Sequence, residues 1–429
     1  MRQEIPTEQG PTLRRGLLWI PLGCAWLLML VTFTMPDRQE PQTFASLDLI
    51  ALAKVGARLV TVVVLAPLIF GRWTSARRSV VARGLFPLAL FACWALVSVS
   101  WSALQTVSIG QTASLISLLT VAAALAMLWR DSRDMSTILF ALTIALLAIS
   151  AVLMLIHLLA PGISGLDRHG WFGPAAGGVV HPTSAAATSS LGLILLVGAR
   201  LASGWRWTKI LLIPGTLVFV ILLLLAFNRL SLMLTPFVVL LAVVTLRPRS
   251  RKVVSMVVAA SVGALFLLQL TGALPLLEFL RRGQDAGVVL RLGGRVEMWQ
   301  AMWSSFLESP LWGHGYFVTS KIGSIDIWDG PANHTAHNLI LQILVSTGVV
   351  GTGLFLWGLT TSVRQVWRGP RYDAERSERS AVLALAGVWY LGWSLLNASF
   401  MGPIQPESVV FFGLLGIAVG GFPTDRDDR

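Results

Sequence analysis

Apolar runs close to 20 residues long recur from Leu17 to Gly420, and they constrain this chain more than any other feature. About 20 apolar residues in a helix cross the roughly 30 Å hydrocarbon core of a bilayer. Inside lipid every backbone polar group must be satisfied within the protein, so such runs are helices. Hydrophobic residues make up 55% of the 429 and charged residues 13%, against about 25% charged in ordinary soluble domains. The expected fold is an all-α polytopic membrane protein of about 12 transmembrane helices, counted at the length that spans a bilayer. The first span falls at 17–35, the second at 47–70, the ninth at 253–271 and the last three at 337–361, 380–400 and 404–421. That divides the chain into residues 1–271, with nine helices and short loops, a large external loop at 272–336, and three further helices with a tail at 337–429.

The formal charge of +12 would suit nucleic acid if the cations were gathered on one soluble face. They are not. Most of the 33 Lys and Arg punctuate loops on one side of the spans, as in 72–83, 247–252 and 364–379. The opposite side holds Arg38, Arg168, Arg229, Arg281, Arg282, Arg291, Arg295 and Lys321, while Lys54 and Arg58 fall within span two. By the positive-inside rule both termini are cytoplasmic, and no nucleic-acid partner is expected. The N-terminal apolar run lacks a small-x-small cleavage site and reads as a retained first helix. Cys24 and Cys93 lie inside apolar spans and read as packing residues. Most of the 17 Trp, including Trp19, Trp73, Trp101, Trp129 and Trp205, fall at span ends, where an amphipathic ring suits the interface.

Three outer segments stand out. The loop between Thr271 and His337 is too long for a plain connection. From Arg295 its apolar residues Val296, Trp299, Met302, Trp303, Phe306 and Leu307 recur at helical spacing, and Ser309-Pro310 ends the run. Such a helix is expected to lie flat on the membrane, with Gly293-Gly294, Gly313 and Gly315 supplying turns. A second loop, Pro161 to Pro182, carries Arg168, His169 and His181. The third segment is the tight junction Phe227-Asn228-Arg229 between two spans.

Chemistry is therefore expected on the outer side, where His169, His181, His314, His334 and His337 all map. His337 opens span ten with Asn338, where a reactive group meets both lipid and water. An imidazole, with an ordinary pKa of about 6.5, takes up a proton near neutrality. The outer arginines are costly beside lipid unless they meet an anion, and Arg168, Arg229, Arg291 and Arg295 together suit a pyrophosphate. His169, His181, His314, Lys321 and Asn338 are further candidates for binding substrate. No GxxxxGK[ST] loop, HExxH or paired Cys ligands occur, so neither nucleotide, metal nor other cofactor is expected. Asp326 and Asp329, among Gly323, Gly330 and Pro331, read as turn residues. Asp48 and Glu407 near span ends keep a proton-coupled transporter open as an alternative.

Several motifs go beyond this generic physics. His337-Asn338, nine residues, then Gly348-Val349-Val350-Gly351-Thr352 resembles the H-[NSQ]-x9-G-x-x-G-T signature of the bacterial O-antigen ligase family. Gly294-Arg295 with Trp299, followed by Pro310-Leu311-Trp312-Gly313-His314-Gly315, is similar to the G-R-x-x-x-W and P-L-x-G-x-G patterns of the wider ligase and polymerase superfamily. Asn228-Arg229 resembles that superfamily's Ser-Arg junction, with Asn in first place. The resemblance implies a metal-independent glycosyltransferase of the bacterial inner membrane with a periplasmic site. It would move a glycan, with inversion, from undecaprenyl pyrophosphate to lipid A-core in lipopolysaccharide biosynthesis. His337, Arg295 and Arg229 would be catalytic, and Gly348 and Gly351 would let helices approach closely. An O-antigen polymerase, a protein O-oligosaccharyltransferase and a lipid-linked glycan flippase are the competing readings.

Overall fold

The computed structural model describes residues 11–32, 49–71, 77–161, 166, 180–247, 295–320, 325–326, 331–332, 335–367, 374–397 and 404–420. These form α1 (Pro11–Thr32), α2 (Leu49–Phe70), α3 (Arg77–Val97), α4 (Gln105–Leu128), α5 (Ser132–Leu159) and α6 (Pro182–Ala202). There follow α7 (Arg206–Ala226), α8 (Arg229–Leu246), α9 (Arg295–Glu308), α10 (Leu339–Trp367), α11 (Ala374–Ser394) and α12 (Pro406–Gly420). A two-residue antiparallel ladder pairs β1 (Ile325–Asp326) with β2 (Pro331–Ala332).

Among the described residues nine helices are long and apolar enough to cross a membrane, namely α1 to α8 and α10. The expected count of about twelve is thus matched only in part. The ninth expected span, 253–271, lies outside the described residues, α11 begins among charges, and α12 is 15 residues long. At 1.5 Å per residue α12 extends only about 22 Å. It sits in the centre rather than against lipid: all of its residues are buried, and it packs on α1, α3, α4, α5, α6, α10 and α11. Glycines make that fit. A side chain at Gly416 would strike the Ala122 carbonyl of α4, and one at Gly420 would strike the Trp129 ring. Trp129 is accordingly a core residue, 1% exposed, and not the interfacial ring its position suggests. The sequence places it at a span end, but only α12 explains why it is covered. Cys24 is buried as expected, whereas Cys93 faces outward from the bundle.

Local chemistry fixes the helix ends. At one end of the bundle Asp131 caps α5 by accepting from the N–H groups of Arg133 (2.9 Å) and Asp134 (2.8 Å). Asp134 accepts from the N–H of Arg130, and Arg15 of α1 approaches both acids at 3.7 and 3.9 Å. At the other end the Asn228 carboxamide caps α8 and also reaches α6, donating to the Thr183 hydroxyl at 3.4 Å. The Ser184 hydroxyl meets Glu407 of α12 at 3.0 Å. The N-terminal ends of α6, α8 and α12 are thereby tied into one polar group inside an otherwise apolar bundle.

Candidate active site

The site is built from two segments far apart in sequence. α10 is not one continuous helix: Gly348 has φ 65° and ψ −170°, a conformation almost confined to glycine, and the helix breaks there. The break leaves carbonyls above and N–H groups below without helical partners, and residues 310–315 supply both. The N–H groups of His314 and Gly315 donate to Val345 and Ser346 (both 3.0 Å), while Val349 and Val350 donate to the carbonyls of Pro310 (2.8 Å) and Leu311 (3.4 Å). The P-L-x-G-x-G and G-x-x-G-T stretches are therefore two halves of one interlock. Gly313 and Gly315, with φ 68° and 105°, complete it against Ser346 and Ser102. Gly348 and Gly351 were expected to serve helix packing. Gly348 instead makes the break, where a Cβ would strike the Leu311 carbonyl, and Gly351 leaves room for Thr347 and Trp94.

This break sets the position of the short N-terminal half of α10 and of the segment that precedes it. His337 is half-buried and holds φ 45°, a left-handed conformation uncommon for a side-chain-bearing residue. Its neighbours are clamped on both sides. Asn338 caps α10 by accepting from Leu341 (3.0 Å). Ala336 donates its N–H to Gln342 (2.7 Å) and accepts the Trp299 indole N–H on its carbonyl (2.6 Å). Asn228 and Asn338 do the same work in their two motifs, which gives the first place of the Asn228-Arg229 pair a physical role: an N-cap, equally open to Ser.

Trp299 belongs to α9, one turn from Arg295 on the same face. The sequence places Val296, Trp299, Met302, Trp303, Phe306 and Leu307 on a single apolar face, but the structure divides them. Met298, Met302 and Phe306 pack against Ala336, Leu341 and Val345 of the α10 region, while Val296, Trp303 and Leu307 remain exposed. α9 is thus anchored to α10 on one side and offers apolar surface on the other. Partial burial lowers the pKa of the Arg295 guanidinium from its ordinary value by desolvating the cation.

The remaining candidates fall as follows. His314 is buried, its Nε2 at 2.7 Å from the Ser305 carbonyl and 3.1 Å from the Ser305 hydroxyl, so its ring is engaged in fixing the interlock to α9. His181 is exposed and caps α6, its Nδ1 accepting from the Thr183 N–H (3.2 Å). Arg229 is half-buried as the first residue of α8, just after the left-handed Phe227 (φ 47°). Arg168, His169, Arg291 and Lys321 lie outside the described residues. The structure therefore assembles two groups. One contains Arg295, Trp299, His337 and Asn338; the other contains His181, Thr183, Asn228 and Arg229, linked through Ser184 to Glu407.

A shared feature unites them. Arg229 and Arg295 are the first residues of α8 and α9, His337 directly precedes the cap of α10, and His181 is the cap of α6. Helix N-termini carry partial positive charge, so a cation there is disfavoured by about 0.3–1 kcal/mol unless an anion is present. Two arginines so placed, together with two histidines at helix starts, suit an anionic group. Sequence reading missed Thr183, Ser184 and Gln342, whose polar side chains hold the helix starts in place. Their only signal is Ser, Thr or Gln beside a candidate cation at a span end.

Residues 214–356 match the O-antigen ligase family. That segment contains Arg229, Arg295, the interlock and His337. No curated protein matches the chain.

Proposed function

We infer that this chain, which matches the O-antigen ligase family over residues 214–356 and has nine helices among the described residues long and apolar enough to cross a membrane, is a membrane enzyme of the ligase and polymerase superfamily and an O-antigen ligase. The reading takes undecaprenyl-pyrophosphate-linked glycan as donor and lipid A-core as acceptor, in the bacterial inner membrane, with both termini cytoplasmic and the site periplasmic. One observation carries it: Arg229 and Arg295 stand at helix N-termini, and the Arg295 helix, through the Trp299 indole, holds Ala336 next to a histidine in a left-handed conformation.

Arg295 and Arg229 hold the donor pyrophosphate, where each charge-assisted hydrogen bond contributes ~1.5–3 kcal/mol. A sugar hydroxyl of the acceptor attacks the anomeric carbon from the face opposite the pyrophosphate, giving inversion. As the new C–O bond forms, the old anomeric C–O bond breaks and its electron pair leaves with the pyrophosphate, whose charge the arginines stabilise. The hydroxyl proton passes to the His337 imidazole, which contributes ~10²–10⁴-fold as a general base. The exposed apolar side of α9, with Trp303 and Leu307, rests in the membrane and guides the polyprenyl chain. No residue of this scheme calls for a metal ion.

The test is reconstitution of the full chain with lipid-linked glycan and lipid A-core. Product on the core supports a ligase. Lengthened lipid-linked glycan supports a polymerase, glycan on a protein hydroxyl an oligosaccharyltransferase, and movement of the donor across the bilayer without transfer a flippase.

A further inference from the structure

Glu407 is a buried acid that the scheme above does not use. It stands in the first turn of α12, 1% exposed, and no other residue of that helix is titratable. Enclosing a carboxyl is costly unless its oxygens are met, and among the described residues no cation is paired with this one. Its partner is the Ser184 hydroxyl of α6, which lies between Glu407 Oε2 (3.0 Å) and Gln405 Oε1 (2.9 Å). The start of α12 therefore grips Ser184 from two sides.

Ser184 and Thr183 share the first turn of α6, which His181 caps. Thr183 accepts an N–H from the Asn228 carboxamide (3.4 Å), whose oxygen accepts the Ser231 N–H (3.0 Å) and starts α8. Arg229 follows Asn228 directly. One turn of α6 thus joins the acid of α12 to the residue that sets the direction of Arg229. The body of α8 is fixed separately, since Thr235 donates to Ser190 of α6 (2.7 Å) and accepts from Trp389 of α11 (3.1 Å). Likewise Tyr390 of α11 donates to Ser408, beside Glu407 (3.1 Å). Loss of the acid would then loosen the start of α8 without releasing the helix.

We propose that Glu407 is a positioning residue for the donor site: through Ser184 it fixes the first turn of α6, whose Thr183 holds Asn228 and so aims Arg229 at the pyrophosphate. This rests on the reading of Arg229 as a pyrophosphate ligand. Glu407 itself touches no substrate. Its action runs through hydrogen bonds, so a carboxamide of the same reach can replace it and an apolar side chain cannot. Arg295 stands on α9, outside this chain of contacts, and is not aimed by Glu407.

The experiment measures the Kd of the purified full chain for undecaprenyl pyrophosphate, with undecaprenol, which lacks the pyrophosphate, as the control probe. Glu407→Leu should weaken binding about 10-fold, as expected when one charged hydrogen bond is lost, and Glu407→Gln should bind as the unaltered chain does. Added to Arg229→Gln, Glu407→Leu should weaken binding no further; added to Arg295→Gln, the two losses should multiply. Ser184→Ala provides a milder variant should Glu407→Leu fold poorly, and it should show the same dependence on Arg229. Undecaprenol should bind every variant alike. The same loss in both arginine backgrounds, a loss in Glu407→Gln as large as in Glu407→Leu, or full affinity in both Glu407→Leu and Ser184→Ala overturns the proposal. Ligase, polymerase and flippase all bind this probe, so the identity of the acceptor does not enter the result. Absence of binding by the unaltered chain would instead overturn the donor reading, and this role with it.

Discussion

Replacing Gly348 with Ala tests whether the interlock holds the site together. The conformation at φ 65° and ψ −170° costs a side-chain-bearing residue ~1–3 kcal/mol. The new methyl would also strike the Leu311 carbonyl and Trp312 nitrogen, displacing the segment that receives the N–H groups of Val349 and Val350. Two backbone hydrogen bonds at ~0.5–1.5 kcal/mol each bring the total to about 2–6 kcal/mol. Gly353 supplies the control, on the same helix five residues later, with open space where a Cβ would sit. There the change to Ala should be neutral or stabilising by up to ~1 kcal/mol. The assay is denaturant titration of each purified protein, followed by tryptophan fluorescence, since Trp94 and Trp312 pack at 5.4 Å beside the break. Gly348→Ala should unfold at markedly lower denaturant and Gly353→Ala should not. Coincident midpoints for the two variants would refute the interlock.

Four further outcomes are expected. His337→Ala should fold with unchanged midpoint yet lose glycan transfer by at least ~10²-fold, as measured by product on lipid A-core; normal transfer would remove His337 from catalysis. Asn338→Ala should cost ~1 kcal/mol through the lost cap of α10, and Asn338→Ser should restore most of it in the same titration. Cysteine introduced at Ser309 should react with a membrane-impermeant maleimide from outside, and at Ser203 only after permeabilisation; the reverse pattern would invert the proposed orientation. Burial raises the pKa of Tyr316, so the folded state keeps its phenolic proton at a pH where the unfolded chain releases it. Stability should be insensitive to this group below pH ~10 and decline above it, and Tyr316→Phe should flatten that alkaline decline in a pH series of midpoints.

The bundle was legible in the sequence because lipid permits few solutions. A run of about 20 apolar residues has one low-energy conformation there, and basic residues sort loops to one side. The Ser309-Pro310 stop of α9 falls where the structure ends it. Local signals could not show which apolar surfaces face protein and which face lipid, because both solvents for a side chain are hydrocarbon-like. Trp129 under α12 and the divided faces of α9 are cases of this.

By itself, then, the sequence determined a chain of apolar, membrane-spanning helices and the residue types of its candidate site. The pairing of 310–315 with the break at Gly348 was decided only by tertiary structure. Glycines in both segments announce that something unusual happens to the backbone, but not that each segment supplies the hydrogen bonds the other lacks. The same holds for Ala336, an unremarkable residue whose two backbone groups meet Trp299 and Gln342 and fix the position of His337. A backbone donor or acceptor is present at almost every residue and leaves no mark in the sequence, so which of them meet is settled only when distant segments pack.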